Sequence, residues 1–296
     1  MDIFKQAIVL CSTAWVLMAL SGCAVRPLVV NHVADALVAQ GQDFEDDIYL
    51  ARDASAFYLK LSESVLRETP ANLKLAESVA AGFTQYAYAF VSFEADKIQS
   101  KDAKAAQQMK ERAARLYARA HRHAMLALET STPGFTQALT QAELGATLRL
   151  TDAQVGVAYW AAAAWGGMIS LSKDDPDTVA DLPLAMKLAK LAWEKKPDHG
   201  RGSLSSLMGT FEAASPGGSL ALAEKYFDQA IAQSQGQSAG PWVAKAESIA
   251  MAKQDPQLFA QWLKEAIRIS AAHRHLENEV MRARAAWLLD TMDDLF

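Results

Sequence analysis

The chain has 296 residues and a formal net charge of -5, with 21% charged residues of both signs spread along its length. That balance excludes the basic face a nucleic-acid partner requires, and two cysteines in such a length exclude a disulfide framework. Hydrophobic residues make up 51%, much of it alanine, against 15 glycines and 9 prolines. Valine, isoleucine and threonine are sparse and no segment keeps a period of two, so the expected class is all-α.

Taken in chain order, the first feature is an apolar stretch over residues 7–20, preceded only by a short polar segment containing Lys5. At about 14 residues it is too short to span a bilayer comfortably but suits the core of a secretory signal. It closes on Leu20-Ser21-Gly22-Cys23, which resembles the lipobox of bacterial lipoproteins. The resemblance implies cleavage after residue 22, diacylation of the Cys23 thiol and acylation of the new amino terminus. Cys11 lies within the signal, so the mature chain has no second thiol to pair with Cys23. A domain of roughly 270 residues must therefore rest on core burial, which at that size covers about three quarters of the unfolded surface. Each buried acyl methylene contributes about 0.8 kcal/mol, so several chains anchor a protein durably. Ala24, standing where an aspartate would signal otherwise, implies sorting to the periplasmic face of the outer membrane. The expected organisation is a signal over 1–22 and one lipid-anchored helical domain over 23–296.

Proline, glycine and asparagine punctuate the rest at helical intervals. A first helix is expected over 28–39, ending at Gly41. The next starts after Glu45-Asp46-Asp47, where carboxylates suit the positive end of the helix dipole. Its apolar stripe reads Leu50, Ala54, Phe57, Leu61 and Val65, and Pro70 stops it. An aromatic helix over 72–97 carries Phe83, Tyr86, Tyr88, Phe90 and Phe93, and another spans 102–129 before Pro133-Gly134. Thr151 and Gln154 form a capping box for a helix containing Tyr159-Trp160, four alanines and Trp165-Gly166-Gly167. Side chains that small let neighbours approach closely, which predicts a central position. Further breaks fall at Pro176, Pro197, Pro216-Gly217-Gly218, Gly240-Pro241 and Asp255-Pro256, with a last helix over 276–295. That makes about eleven helices, consecutive ones antiparallel because their turns are short.

Ala113-Tyr117-Ala120 and Ala223-Phe227-Ala230 fit the second helix of a tetratricopeptide repeat, and Ala185-Ala189-Ala192-Pro197 shares the spacing. Two small residues on one face let a helix nest while a large one fills the gap. The Trp-x2-Leu-Gly-x2-Tyr pattern of the first repeat helix is missing, so a degenerate solenoid and an irregular bundle both remain open.

Three segments in order carry a more specific likeness: Asp46-Asp47-x2-Leu50-Ala51-Arg52-x-Ala54 running on to Leu59-Lys60-Leu61-x-Glu63 and Pro70-x-Asn72; Gly82-Phe83-x2-Tyr86-Ala87-x-Ala89-Phe90-Val91; and Tyr159-Trp160-x4-Trp165-Gly166, succeeded by His199, Pro216-Gly217-Gly218 and Ala223-x3-Phe227. Together they resemble the T-component lipoproteins (TatT) of tripartite ATP-independent periplasmic (TRAP) transporters. The resemblance implies an outer-membrane-anchored, all-helical protein with cryptic tetratricopeptide-like repeats. It further implies a trimer that associates with the periplasmic substrate-binding P-component, with a cleft or pore for small solutes, hydrophobic ones included. It implies no covalent catalysis and no cofactor.

The remaining side chains are weighed on their own chemistry. His121-Arg122-His123 and His273-Arg274-His275 resemble metal signatures, yet helical residues two apart point about 200° apart and cannot grip one ion. Solvated surface histidines are the reading. Glu45-Asp46-Asp47 lacks the alternation of a calcium loop and reads as a helix start. There is no Gly-x-Ser-x-Gly elbow, His-Glu-x2-His or phosphate loop, so nothing nominates an enzyme. Tyr86, Phe90, Tyr159, Trp160 and Trp165 read either as plain core or as the wall of an apolar cleft oriented by a few polar tips. His199 and Arg201 stand at a helix start, within range of a ligand carboxylate or in a capping role. A solute-handling accessory protein and a lipid-anchored scaffold are the two readings carried forward.

Overall fold

The computed structural model describes residues 33–34, 36–38, 47–141 and 147–296. The signal, Cys23, Gly41, Glu45 and Asp46 lie outside the described residues; of the helix expected over 28–39, residues 33, 34 and 36–38 are described and helical. The described residues form twelve helices and no strand, so the all-α expectation holds.

Local signals in the sequence start most of these helices. Helix α1 (Ile48–Glu68) begins where the Asp47 carboxylate accepts hydrogen bonds from the amides of Tyr49 and Leu50. Helix α2 comprises Leu73–Ala87, a π-turn at Tyr88–Ser92 and Phe93–Ile98, and the Asn72 side chain caps it. Asp102 caps α3 (Ala103–Ser131), and α4 (Phe135–Thr140) comes after Gly134 at φ 85°. Helix α5 (Asp152–Leu171) opens on the predicted capping box. Its Gln154 is buried and also donates to the hydroxyls of Ser131 and Thr132, tying α5 to the end of α3. Then come α6 (Pro176–Ala180), α7 (Leu182–Lys195), a 3-10 turn at His199–Gly202 and α8 (Ser203–Ala214). Helices α9 (Leu220–Gln233), α10 (Gly240–Lys245, continued by a π-turn at Ala246–Ala250), α11 (Pro256–Ala272) and α12 (Leu276–Asp290) complete the order. The last of these is shorter than expected, giving way to a 3-10 turn at Met292–Asp294.

Small residues set how closely the helices pack. Helix α5, with Ala158, Ala161, Ala162 and Ala164 fully buried, packs against α2, α3 and α7. A methyl on Gly167 would lie 2.8 Å from the Tyr117 ring, and one on Gly209 would lie 3.0 Å from Phe227. Those aromatics are the large members of two of the alanine-spaced segments, each seated over a glycine of a neighbouring helix. Two hydrophobic clusters result. The larger spans α1–α8, and the smaller joins α9–α12, with Phe227, Val243, Phe259 and Leu263 at its heart.

The chain of neighbouring helices closes on itself, because α12 returns to α1 and to the end of α2. Arg284 of α12 donates to Asp96 on α2 at 2.6 Å and to Glu247 in the π-turn of α10 at 2.6 Å. Its guanidinium also lies over the rings of Phe93 and Trp287. Burial alone would lower its pKa, but the two carboxylates more than reverse this, and the side chain stays charged at 13% exposure. Both π-turns meet at this point. Each inserts one residue into its helix and so rotates the remainder of that helix; in α2 this turns Phe93 and Asp96 toward α12.

The apolar stripe of α1 does not face the core as such stripes usually do: Leu50, Ala54, Phe57 and Leu61 are exposed, and Val65 is only half-buried. The buried face is Ala51, Leu59, Ser62, Glu63 and Leu66. Glu63 decides this. At 1% exposure it receives two hydrogen bonds from Arg119 (2.6 and 2.5 Å), one from Lys60 (2.6 Å) and a contact at 2.8 Å from His123 Nε2. Burial pushes its pKa up, but these partners overcome that and hold it far below the ordinary 4.5.

Both ion clusters can be tested by substitution. Replacing Arg284 with leucine leaves Glu247 without its cation and Asp96 with Lys110 alone, at 3.7 Å. Urea unfolding should show a loss of about 3 kcal/mol, with amide exchange accelerating in α12 and the end of α2 before α5. Glu63→Gln should cost a similar amount at neutral pH. Because the folded pKa lies below the unfolded one, that advantage of the wild type is complete above the ordinary carboxylate value. Stability measured in steps from pH 7 to pH 3 should show it fading as pH falls beneath 4.5.

Candidate functional site

The sequence-predicted cleft residues divide into three places. Tyr159 and Trp160, on adjacent positions of α5, meet edge to face at 4.8 Å. His199 reaches the other side of Tyr159, ring to ring at 5.5 Å. These three come together. Tyr86 and Phe90 pair with each other at 5.3 Å elsewhere on α2, with Tyr86 in electrostatic range of Arg52 on α1. Trp165 is buried core, packed on the His121 ring at 4.4 Å. Arg201 is exposed and donates to Gln237 at 3.3 Å, so it braces a loop.

The histidines also depart from expectation. His121 is half-buried, its Nδ1 3.2 Å from the Ala161 carbonyl, and burial lowers its pKa. His123 contacts Glu63. They do point to different neighbours, as the helical geometry required, but neither is a solvated surface group. His273 and His275 flank the turn between α11 and α12, so the helical argument does not apply there. Among the described residues no three His, Cys, Asp or Glu side chains converge as a metal site.

The surroundings of Tyr159 give the cluster its polarity. Glu77 of α2 lays its carboxylate on the backbone of α5 at Gly156, where a methyl would sit only 2.1 Å from its oxygen. Burial raises the Glu77 pKa, and Lys196 lowers it in part. Burial, and then the same Lys196, lowers the pKa of His199, with Asp198 opposing them. Burial raises the Tyr159 pKa as well, with Glu277 at the start of α12 adding to it and the Ser203 hydroxyl opposing it. The group thus joins α2, α5 and the His199–Gly202 turn, within electrostatic range of the first residues of α12. Glu77 and Lys196 carried no motif; the one trace in the sequence is a carboxylate amid the apolar run Leu75-Ala76-x-Ser78-Val79-Ala80.

The His199–Gly202 turn is held by unusual backbone. Gly200, Arg201 and Gly202 all have positive φ (63°, 51° and 99°). Gly202 approaches α9 so closely that a Cβ would fall 2.4 Å from the Ala230 carbonyl oxygen. Only glycine satisfies both conditions. Elsewhere, a depression of about 170 Å³ between α1 and α3 is lined by Leu66, Arg67, Pro70, His123, Leu126 and Ala127, none of them predicted cleft residues.

The arrangement brings together aromatic faces, an imidazole and a half-buried carboxylate within electrostatic range of Lys196. The chain belongs to the TRAP transporter T-component family, whose profile matches residues 44–296. It is thereby an accessory component of a TRAP transport system. It is also similar to a protein of Treponema pallidum (strain Nichols) described as uncharacterized, 27% identical over 278 residues that cover 90% of this chain and 85% of that one. No helix among the described residues is long and apolar enough to cross a membrane.

Substituting alanine at Gly202 should cost more than at Gly217, which shares a positive φ (78°) but has open space where the methyl would go. About 1 kcal/mol is expected at Gly217 from backbone strain and about 3 kcal/mol at Gly202, where the clash adds. Thermal melts compare the two. Proton NMR should show the Tyr159 ring-current shift on His199 disappearing in the Gly202 variant and persisting in the Gly217 variant.

Proposed function

We propose that this protein is held by a lipidated Cys23 on the periplasmic face of the outer membrane. There it binds or channels a small organic solute, hydrophobic ones included, and docks the periplasmic substrate-binding protein of its TRAP system. It acts as a homo-trimer, without a cofactor and without covalent chemistry. Tyr159, Trp160 and His199 form the contact surface for the solute, with Glu77 and Lys196 beside them to meet polar groups. Tyr86 and Phe90 line a second wall or pack as plain core, while Trp165 packs in the core and Arg201 braces the turn that carries His199.

One observation carries this reading: the Tyr159–His199 pair joins α5 to the His199–Gly202 turn, next to the half-buried Glu77 carboxylate seated against the backbone of α5. A pure scaffold has no need of such a group in its interior. The rings supply apolar area and edge-to-face geometry for a flat or aliphatic solute. The His199 ring and the Tyr159 hydroxyl supply hydrogen-bonding tips, and transport requires release, so a moderate affinity is what the task demands.

The test is native mass spectrometry of the mature chain after incubation with periplasmic small-molecule extract, and then with the cognate substrate-binding protein. The expected result is a retained solute mass and a complex with that protein. Trp160→Ala should weaken solute retention about tenfold, the equivalent of 1.4 kcal/mol, while leaving the complex intact. A chain that retains no solute and recovers only envelope-assembly proteins is the scaffold instead.

A further inference from the structure

We infer that the outer face of α1 is a membrane-contact surface that lies in the bilayer interface when the protein is tethered. Leu50, Ala54, Phe57 and Leu61 fall three and four residues apart on one side of the helix. Leu50 is 57% exposed, Phe57 75% and Leu61 41%, and Tyr49 at 74% stands at the upstream edge. From Leu50 to Leu61 the stripe extends over about 16 Å of helix. The opposite face is fixed inward by Glu63, so α1 cannot roll to hide it.

A lipid surface is selected as the occupant on three grounds. An open aromatic side chain presents about 150–250 Å², which puts the whole stripe on the order of 500 Å². That is well short of the roughly 800 Å² per partner of a stable protein interface. The charges beside the stripe are mixed (Asp53, Lys60 and Arg67), so neither an anionic nor a cationic partner is favoured, and apolar insertion is what remains. Position in the chain then supplies the occupant. Asp47, where α1 starts, is only 24 residues after Cys23, and Leu37, 14 residues after it, is buried in the larger cluster with its carbonyl accepting from Tyr58 of α1. This step rests on the lipid-anchor reading. Tethering of this kind raises the effective concentration of the membrane to the millimolar range, so even weak insertion is populated. The consequence is an orientation: α1 lies along the membrane with α2 packed above it, and the protein does not swing freely on its tether.

The experiment uses the mature chain with Cys23→Ser and an amino-terminal histidine tag, held on vesicles of phosphatidylethanolamine and phosphatidylglycerol containing a nickel-chelating lipid. Without Cys23 the mature chain has no thiol, so an environment-sensitive fluorophore can be placed at Phe57→Cys or, as a control, at the exposed Lys190→Cys on α7. The label at 57 should shift to the blue and be quenched by lipid-borne quenchers several-fold more than the label at 190, at both low and high salt. Leu50→Asp combined with Leu61→Asp should abolish the shift at 57 without lowering the melting temperature, since both side chains are exposed. The inference is overturned if both labels stay in water on the vesicles. It is equally overturned if the label at 57 shifts without vesicles as protein concentration rises, which would assign the stripe to a second copy. Incorporation of labelled palmitate at Cys23 in cells is read separately, so failure of the anchor and failure of the contact surface give different results.

Discussion

A single guanidinium closes this molecule. Arg284 joins three helices that the chain order keeps far apart, reaching Asp96 across 188 residues of sequence. A half-buried cation between two carboxylates is not a strong source of net stability, because desolvation offsets much of the attraction. Its importance is geometric. Without it, Glu247 would lose its cation, Asp96 would keep only Lys110, and α12 would be held to α2 by the Phe93–Trp287 ring contact. With it, the helical array ends where it began, and the first residues of α12 are placed beside Tyr159. The two π-turns serve the same junction, since an inserted residue is what lets α2 change partners along its length.

The candidate site depends on that closure. Tyr159, Trp160 and Glu77 belong to the helices of the larger hydrophobic cluster and are positioned by alanine and glycine contacts within it. Glu277 comes from the other side and is brought near only because the seam is shut. His199 is supplied by a turn whose backbone is tolerable for glycine alone at Gly202. Such a site is built from rigid parts at a junction.

Ion clusters also decide which surfaces face out. Around Glu63, four basic side chains from two helices compensate a carboxylate that burial alone would disfavour. That compensation pulls in the polar side of α1 and leaves Leu50, Phe57 and Leu61 in the open. Hydrophobic periodicity could not foresee this, because α1 has apolar residues on both sides and the choice between them was electrostatic. The same holds for His121 and His123. Their opposed directions come from helix geometry, whereas their burial comes from Trp165 and Glu63, which lie 40 and more positions away.

Read without coordinates, the chain itself determines the local layer: the all-α class, the helix starts at Asp47, Asn72, Asp102, Thr151 and Asp255, and the closely packed centre of α5. These depend on side chains bonding to their own backbone within three residues, or on the mere absence of a side chain, and both can be read from neighbours in the chain. The family likeness was legible for a related reason, since ordered short motifs survive as text. Tertiary structure alone decided which face of α1 is buried, that Trp165 belongs to the core and Tyr159 to the seam, and that Glu77, Lys196 and Arg284 matter. Each of those outcomes depends on the distance between groups remote in sequence, and on burial, which changes the energy of a charge far more than that of a methyl.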